Sequence, residues 1–157
     1  MQKLSKIGFV LILLGVSSCK EAPAVEQKGD KAEKIAGASF EIFITQPPIV
    51  QIGEPFSATV KLVPRGKYKV NKEYPIKLNA KGSNAVLPTE IAFTKKDAKL
   101  FSAKEAVFKP TFVASSAGEH RFAGTIKFSV CTEKLCELFN KQVSWVAKVR
   151  KPEARNR

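Results

Sequence analysis

Phe122-Ala123-Gly124-Thr125-Ile126-Lys127-Phe128-Ser129-Val130-Cys131 is the run that decides the fold. Phe122, Ile126, Phe128 and Val130 fall on one parity and put four apolar side chains on one face of an extended chain. A period of two is that of a strand with one face on a core, whereas a helix repeats about every 3.6 residues. The same alternation recurs on both sides. Phe40, Ile42 and Ile44 alternate with Glu41 and Thr45. Phe56, Ala58, Val60 and Leu62 alternate with Ser57, Thr59 and Lys61. Phe108 and Phe112 share a parity in residues 106–114, where Pro110 points to an edge or a bulge. Val143, Trp145, Ala147 and Val149 form the last such face, with Trp145 a core residue against the opposite sheet.

Turn-forming clusters separate these runs: Gln46-Pro47-Pro48, Gly53-Glu54-Pro55, Lys81-Gly82-Ser83-Asn84 and Ala117-Gly118-Glu119. Roughly seven to nine short strands in about 110 residues define an all-β fold, an immunoglobulin-like antiparallel β-sandwich, with a closed barrel as the alternative. Residues 94–106 hold no clean helical stripe and read as a loop with at most one helical turn. The sandwich domain is expected over residues 38–150. A disordered linker is expected over residues 19–37, which are rich in Ala, Lys, Glu and Gln and lack aromatics, and a disordered basic tail over residues 151–157.

The amino terminus follows a different pattern. Lys3 and Lys6 precede an uncharged, mostly apolar run over residues 7–16; Ser17 and Ser18 then lead into Cys19. This is the order of a secretory signal peptide, and the apolar run is shorter than the roughly 20 residues of a spanning helix. With a cysteine at the cut site, residues 1–18 resemble a bacterial lipoprotein signal. The resemblance implies cleavage before Cys19, lipid on its thiol and an acylated amino terminus, so that the membrane is a partner through this anchor. Lys20 follows, where some bacteria read Asp as an inner-membrane retention signal. The expected location is the periplasmic side of the cell envelope, at the outer membrane rather than the inner.

Charge is consistent with that location. The chain has 27 Lys plus Arg against 14 Asp plus Glu; residues 1–18 hold two lysines and no acid, leaving 25 against 14, or about +11. Basic residues near anionic headgroups contribute about 1 kcal/mol each. Nucleic acid is not expected as a partner of an exported, tethered chain. The lysines are scattered along the sequence, so it reads as a solvated basic surface with no patch defined.

The cysteine count is sharper. Of three cysteines, Cys19 is assigned to lipid, which leaves Cys131 and Cys136 to pair in an oxidising compartment. In a helix their offset would separate them by about 7.5 Å along the axis alone, beyond the Cα separation of about 7 Å that disulfides tolerate. Bond and helix exclude each other here, and a non-helical loop closed by the bond, leading to a strand from Gln142, is the expectation. The ring holds six residues, for which chain entropy gives roughly 2 kcal/mol. A bond serving mainly to staple a sandwich would gain more by joining distant strands.

Two segments carry a family resemblance. Gly118-Glu119-His120-Arg121-Phe122-Ala123-Gly124-Thr125-Ile126-Lys127-Phe128-Ser129-Val130-Cys131, continued by Thr132-Glu133-Lys134-Leu135-Cys136, resembles the cysteine hairpin of the amino-terminal periplasmic domain in the thiol:disulfide interchange reductase family. Gly66-Lys67-Tyr68-Lys69-Val70-Asn71-Lys72-Glu73-Tyr74-Pro75 is similar to the segment after that domain's second strand. The resemblance implies an immunoglobulin-like sandwich, with Cys131 and Cys136 as a catalytic pair passing electrons from a membrane carrier to a periplasmic thioredoxin-like protein. It also makes Tyr68 and Tyr74 candidate shields of the pair. The flanks differ: Phe128-Ser129-Val130 stands where the family often has an aromatic and Gln, and Glu137-Leu138-Phe139 where it often has prolines.

Two functions follow. One is a membrane-anchored extracytoplasmic lipoprotein with a binding or structural domain clipped by one disulfide. The alternative is a thiol–disulfide oxidoreductase working through Cys131–Cys136, in which a Cys136→Ser chain would trap partners on Cys131. No cofactor and no metal site are expected: His120 is the one histidine, placed in a turn, and zinc needs three or four ligands.

Overall fold

The computed structural model describes residues 33–152. The signal segment, Cys19, most of the expected linker and residues 153–157 lie outside the described residues. In chain order the strands are β1 (Glu33–Ala36), β2 (Phe40–Thr45), β3 (Val50–Gln51), β4 (Pro55–Ser57), β5 (Thr59–Pro64), β6 (Lys69–Val70) and β7 (Lys77–Lys81). Then follow β8 (Val86–Leu87), β9 (Glu90–Thr94), β10 (Leu100–Phe101), β11 (Ala106–Phe108), β12 (Thr111–Ala114), β13 (Gly118–Cys131) and β14 (Cys136–Arg150). A 3-10 turn at Lys95–Asp97 precedes β10.

The fold is an all-β sandwich. One layer runs β1-β2-β5-β11-β10 and is extended by β4-β12-β8; the other runs β3-β14-β13-β7-β9, with β6 also paired to β13. The facing sets β2-β5-β11 and β14-β13-β7-β9 follow the immunoglobulin-like plan. All pairings are antiparallel except β3 with β14. Phe40 meets Phe128 across the layers with ring centroids 5.0 Å apart, Phe56 meets Phe122 at 6.0 Å, and Phe112 meets Trp145 at 6.3 Å. Trp145 is buried, as expected of a core residue, and also stacks on its sheet neighbour Phe122 at 5.3 Å.

The described residues hold fourteen strand segments in place of the seven to nine expected: two long runs break where they change sheet, β1 precedes the expected domain, and β3, β6, β8 and β10 are two-residue pairings. The run through Phe56 and Leu62 splits at Ala58: β4 joins β12, and β5 joins β2 and β11. Pro110, which cannot donate to a ladder, marks the same change between β11 and β12. The linker expectation over residues 19–37 is corrected at its end. Glu33–Ala36 pair with β2, Ile35 packs against the core, and Lys34 binds Glu41 at 2.7 Å and lies over the Phe43 ring. A short polar segment is ordered there by an edge already formed, not by its own apolar content. Lys151 and Pro152 are exposed and irregular.

Gly124 sits mid-strand in β13 because β7 approaches closely: a Cβ there would collide with the Asn79 carbonyl and lie 2.9 Å from the Ala80 Cα.

Candidate functional site

β13 and β14 form one hairpin of fourteen register pairs, from Gly118↔Val149 to Cys131↔Cys136. The Thr132 amide donates to the Leu135 carbonyl at 2.8 Å, leaving Glu133 and Lys134 as a two-residue turn. Thr132 Oγ1 accepts from the Lys134 and Leu135 amides at 3.3 and 3.1 Å, which closes the turn without glycine. Because the 132/135 pair is hydrogen-bonded, the next pair is the closer, non-hydrogen-bonded kind. Cys131 and Cys136 occupy it, with Cα atoms 4.0 Å apart, and form a disulfide. The strand is therefore longer than the sequence implied: β14 begins at Cys136 rather than Gln142, and residues 137–141 are ladder rather than loop.

The bond faces out of the sandwich. Cys136 is exposed and Cys131 half-buried, with Ser129 Oγ 3.9 Å from the Cys131 sulfur. Cys136 is thus the more open of the two cysteines. The inner face of the same tip is pinned to the core. Glu137 accepts from Tyr68 Oη at 3.0 Å and from Ser39 Oγ, and Phe139 packs on Phe40 at 4.5 Å. The bond to Glu137, then burial, then the carboxylate charge push the Tyr68 phenol above its ordinary value. Tyr68 thus points at Glu137, on the face opposite to the disulfide.

The other wall is the segment after β5. Arg65 to Tyr68 make a turn around Gly66 at φ 57°, and β6 then pairs with the end of β13 as Val70↔Val130 and Lys69↔Cys131. Val70 and Asn71 amides donate to the Ala103 and Ser129 carbonyls at 2.9 Å, and Asn71 Oδ1 caps the Glu73 amide at 3.0 Å. Lys69 and Cys136 therefore flank Cys131 on its two sides. Between this segment and the hairpin turn lies an open groove of ≈ 590 Å³ with Cys131, Val70 and Ala103 along it.

His120 is not in a turn. It is buried in β13, with Nε2 donating to the Ser116 carbonyl at 2.8 Å and Nδ1 accepting from Ser83 at 3.1 Å, so it serves as a structural tie. No cluster of metal-binding residues occurs among the described residues. No helix among them is long and apolar enough to cross a membrane. Lys69, Asn71, Ser129 and Glu137 were not singled out by sequence; their common signal is a register position beside the cysteines. No protein-family model matches the chain, and no curated protein matches it significantly.

Proposed function

We propose that this chain is a lipid-anchored, extracytoplasmic sandwich domain that exchanges electrons with partner thiols at Cys131–Cys136. The observation that carries this reading is the place of the disulfide: it closes a tip already held by thirteen further register pairs, and its Cys136 side is open to solvent. A bond there adds roughly 2 kcal/mol of chain entropy, while a bond between the sheets would add more. The balanced step is an exchange. A partner thiolate attacks one sulfur, the S–S bond breaks, and a mixed disulfide forms with release of the other sulfur as a thiolate. The partner's second thiol then displaces the first, leaving the partner as a disulfide and this pair as a dithiol. Two electrons and two protons pass to the domain, and the reverse sequence returns them to another disulfide. The signal-like residues 1–18 and Cys19 support the anchor and the oxidising location.

A second reading keeps the bond structural, in a binding lipoprotein domain. The turn at Glu133 and Lys134 has no glycine, and Leu135 and Leu138 stand 56% and 64% exposed beside it, as in a clipped recognition loop. The reduction potential separates the two. Equilibration in glutathione buffers should place an exchanging pair above about −300 mV; a potential well below that value overturns exchange.

A further inference from the structure

The fold assembles a surface that the sequence scatters. Lys67, Lys69, Lys72 and Lys134 line the groove that contains Cys131, with Glu73 and Glu133 as its carboxylates. A second open groove of ≈ 710 Å³ adjoins it, sharing Lys72 and Glu73 and adding Lys77, Lys95, Lys96 and Lys127. The sheet register explains the convergence. Lys127 lies on the face of β13 that carries Ser129 and Cys131, and Lys77 of β7 stands directly opposite it. The row across the sheet reads Asn140, Lys127, Lys77, Thr94, and its carboxylate, Asp97, stands at the far end, accepting from the Thr94 amide and hydroxyl at 2.8 and 2.9 Å. Like charges directly opposed across a ladder destabilise the pair. None of these eight ammonium groups forms an ion pair within 4.0 Å of a carboxylate among the described residues; Lys95 donates to the Lys72 carbonyl at 3.0 Å and lies 5.4 Å from the Phe101 ring centroid, and the charge of Lys96 acts on the Asp97 carboxyl.

Lys127 and Lys77, opposed across the ladder, repel each other in the isolated domain, and an anionic partner offsets that repulsion. Cys131 lines the first groove, so a segment that fills it lies beside the disulfide. A lipid headgroup brings no thiol to the disulfide beside this groove, whereas a polypeptide can.

We infer that the lysine-lined trough beside Cys131 is the docking surface for an acidic polypeptide segment that carries the exchanging thiols. This deepens the thiol-exchange reading and rests on it for the chemistry, though not for the docking. Complementary charge raises encounter rates by about tenfold or more and loses its effect in salt.

The test uses the oxidised full chain and synthetic dithiol peptides with one cysteine spacing and flanks of Glu, Ser or Lys. Thiol release is followed by quenching and mass spectrometry, and each rate is divided by the same chain's rate with dithiothreitol. The Glu-flanked peptide should react about tenfold or more faster than the Lys-flanked one at low salt, and the ratio should fall toward one at high salt. The Lys67→Glu, Lys72→Glu, Lys134→Glu chain should invert the preference. Equal rates for the two peptides, or a preference that survives this charge reversal, overturns the inference. If dithiothreitol itself fails to reduce the pair, the exchange reading falls, and the docking is read from fluorescence anisotropy of a cysteine-free Glu-rich peptide. Binding that the charge reversal abolishes sustains the surface; no binding removes it. Vesicles of mixed phosphatidylglycerol and phosphatidylcholine form the last arm. If the reversal abolishes vesicle binding by the Cys19→Ala chain but leaves peptide binding intact, the surface is for lipid and the inference is wrong.

Discussion

The Tyr68 hydroxyl donates to Oε1 of Glu137 at 3.0 Å, and the carboxylate that it holds belongs to the residue after Cys136. Tyr68 is raised above its ordinary 10.0 by that bond first, then by burial, then by the charge of Glu137. The folded state thus holds the phenol proton more tightly than the unfolded chain does. The resulting stability is present in full below 10.0 and is lost as pH rises through the raised folded value. An alkaline titration of the Tyr68 phenol, followed by its ring resonances, should show it ionising above 10.0, and Glu137→Ala should return it toward that value. A Tyr68 that ionises at 10.0 in the folded chain would contradict the contact.

On the exchange proposal, exposure decides which cysteine captures a partner. With Cys136 open and Cys131 half-buried, a Cys131→Ser chain should accumulate mixed disulfides with thioredoxin-like proteins, and a Cys136→Ser chain should accumulate fewer. Non-reducing electrophoresis and peptide mass mapping read the difference. Capture mainly on Cys131 would mean that the tip rearranges before attack.

The bond itself should contribute little to folding. Cys131→Ser with Cys136→Ser should cost about 2 kcal/mol in denaturant unfolding, since the closed ring is short. A loss twice as large would return the disulfide to a structural role.

Phe128 is fully buried between Phe40 at 5.0 Å and Phe139 at 5.3 Å, while Lys127 next to it faces solvent. Phe128→Ala should cost about 3–5 kcal/mol. Lys127→Ala should stay within about 0.5 kcal/mol of wild type or gain slightly, because Lys77 then loses a like-charged neighbour. Equilibrium urea curves for the two variants check both values.

Lipidation is tested at Cys19, which lies outside the described residues. Mass spectrometry of protein from its native membrane should find a mature chain that starts at Cys19 and carries acyl groups. A soluble chain with an unmodified start elsewhere would remove the anchor from the proposal.

How far the fold could be read from sequence depended on strand length. β2, β13 and β14 were legible because Phe40 to Ile44, Phe122 to Val130 and Val143 to Val149 repeat apolar residues over several periods. β1 was not, since its one apolar anchor is Ile35 and its order is supplied by Glu41 and Phe43 of the neighbouring strand. The breaks at Ala58 and Pro110 keep their parity through a change of sheet, so alternation alone passes over Ala58 without a mark. The disulfide followed from counting cysteines. The lysine surface did not, because Lys72, Lys96, Lys127 and Lys134 lie far apart in the chain and meet only through the register of β6, β7 and β13. His120 was misplaced because the residues around it, Glu119 and Arg121, are polar, while its own parity is that of Phe122.

The hairpin of fourteen pairs carries its cysteines as the last pair, like a clasp on a zip that is already shut. The contacts that hold the tip lie on the other face: Phe139 packs on Phe40 and Phe128, and Glu137 is tied to Tyr68 and Ser39. None of them runs through a sulfur. On the exchange proposal, a protease that probes the reduced chain should therefore meet nearly the same core as in the oxidised one, with the domain's lifetime set by that core and little by its sulfurs.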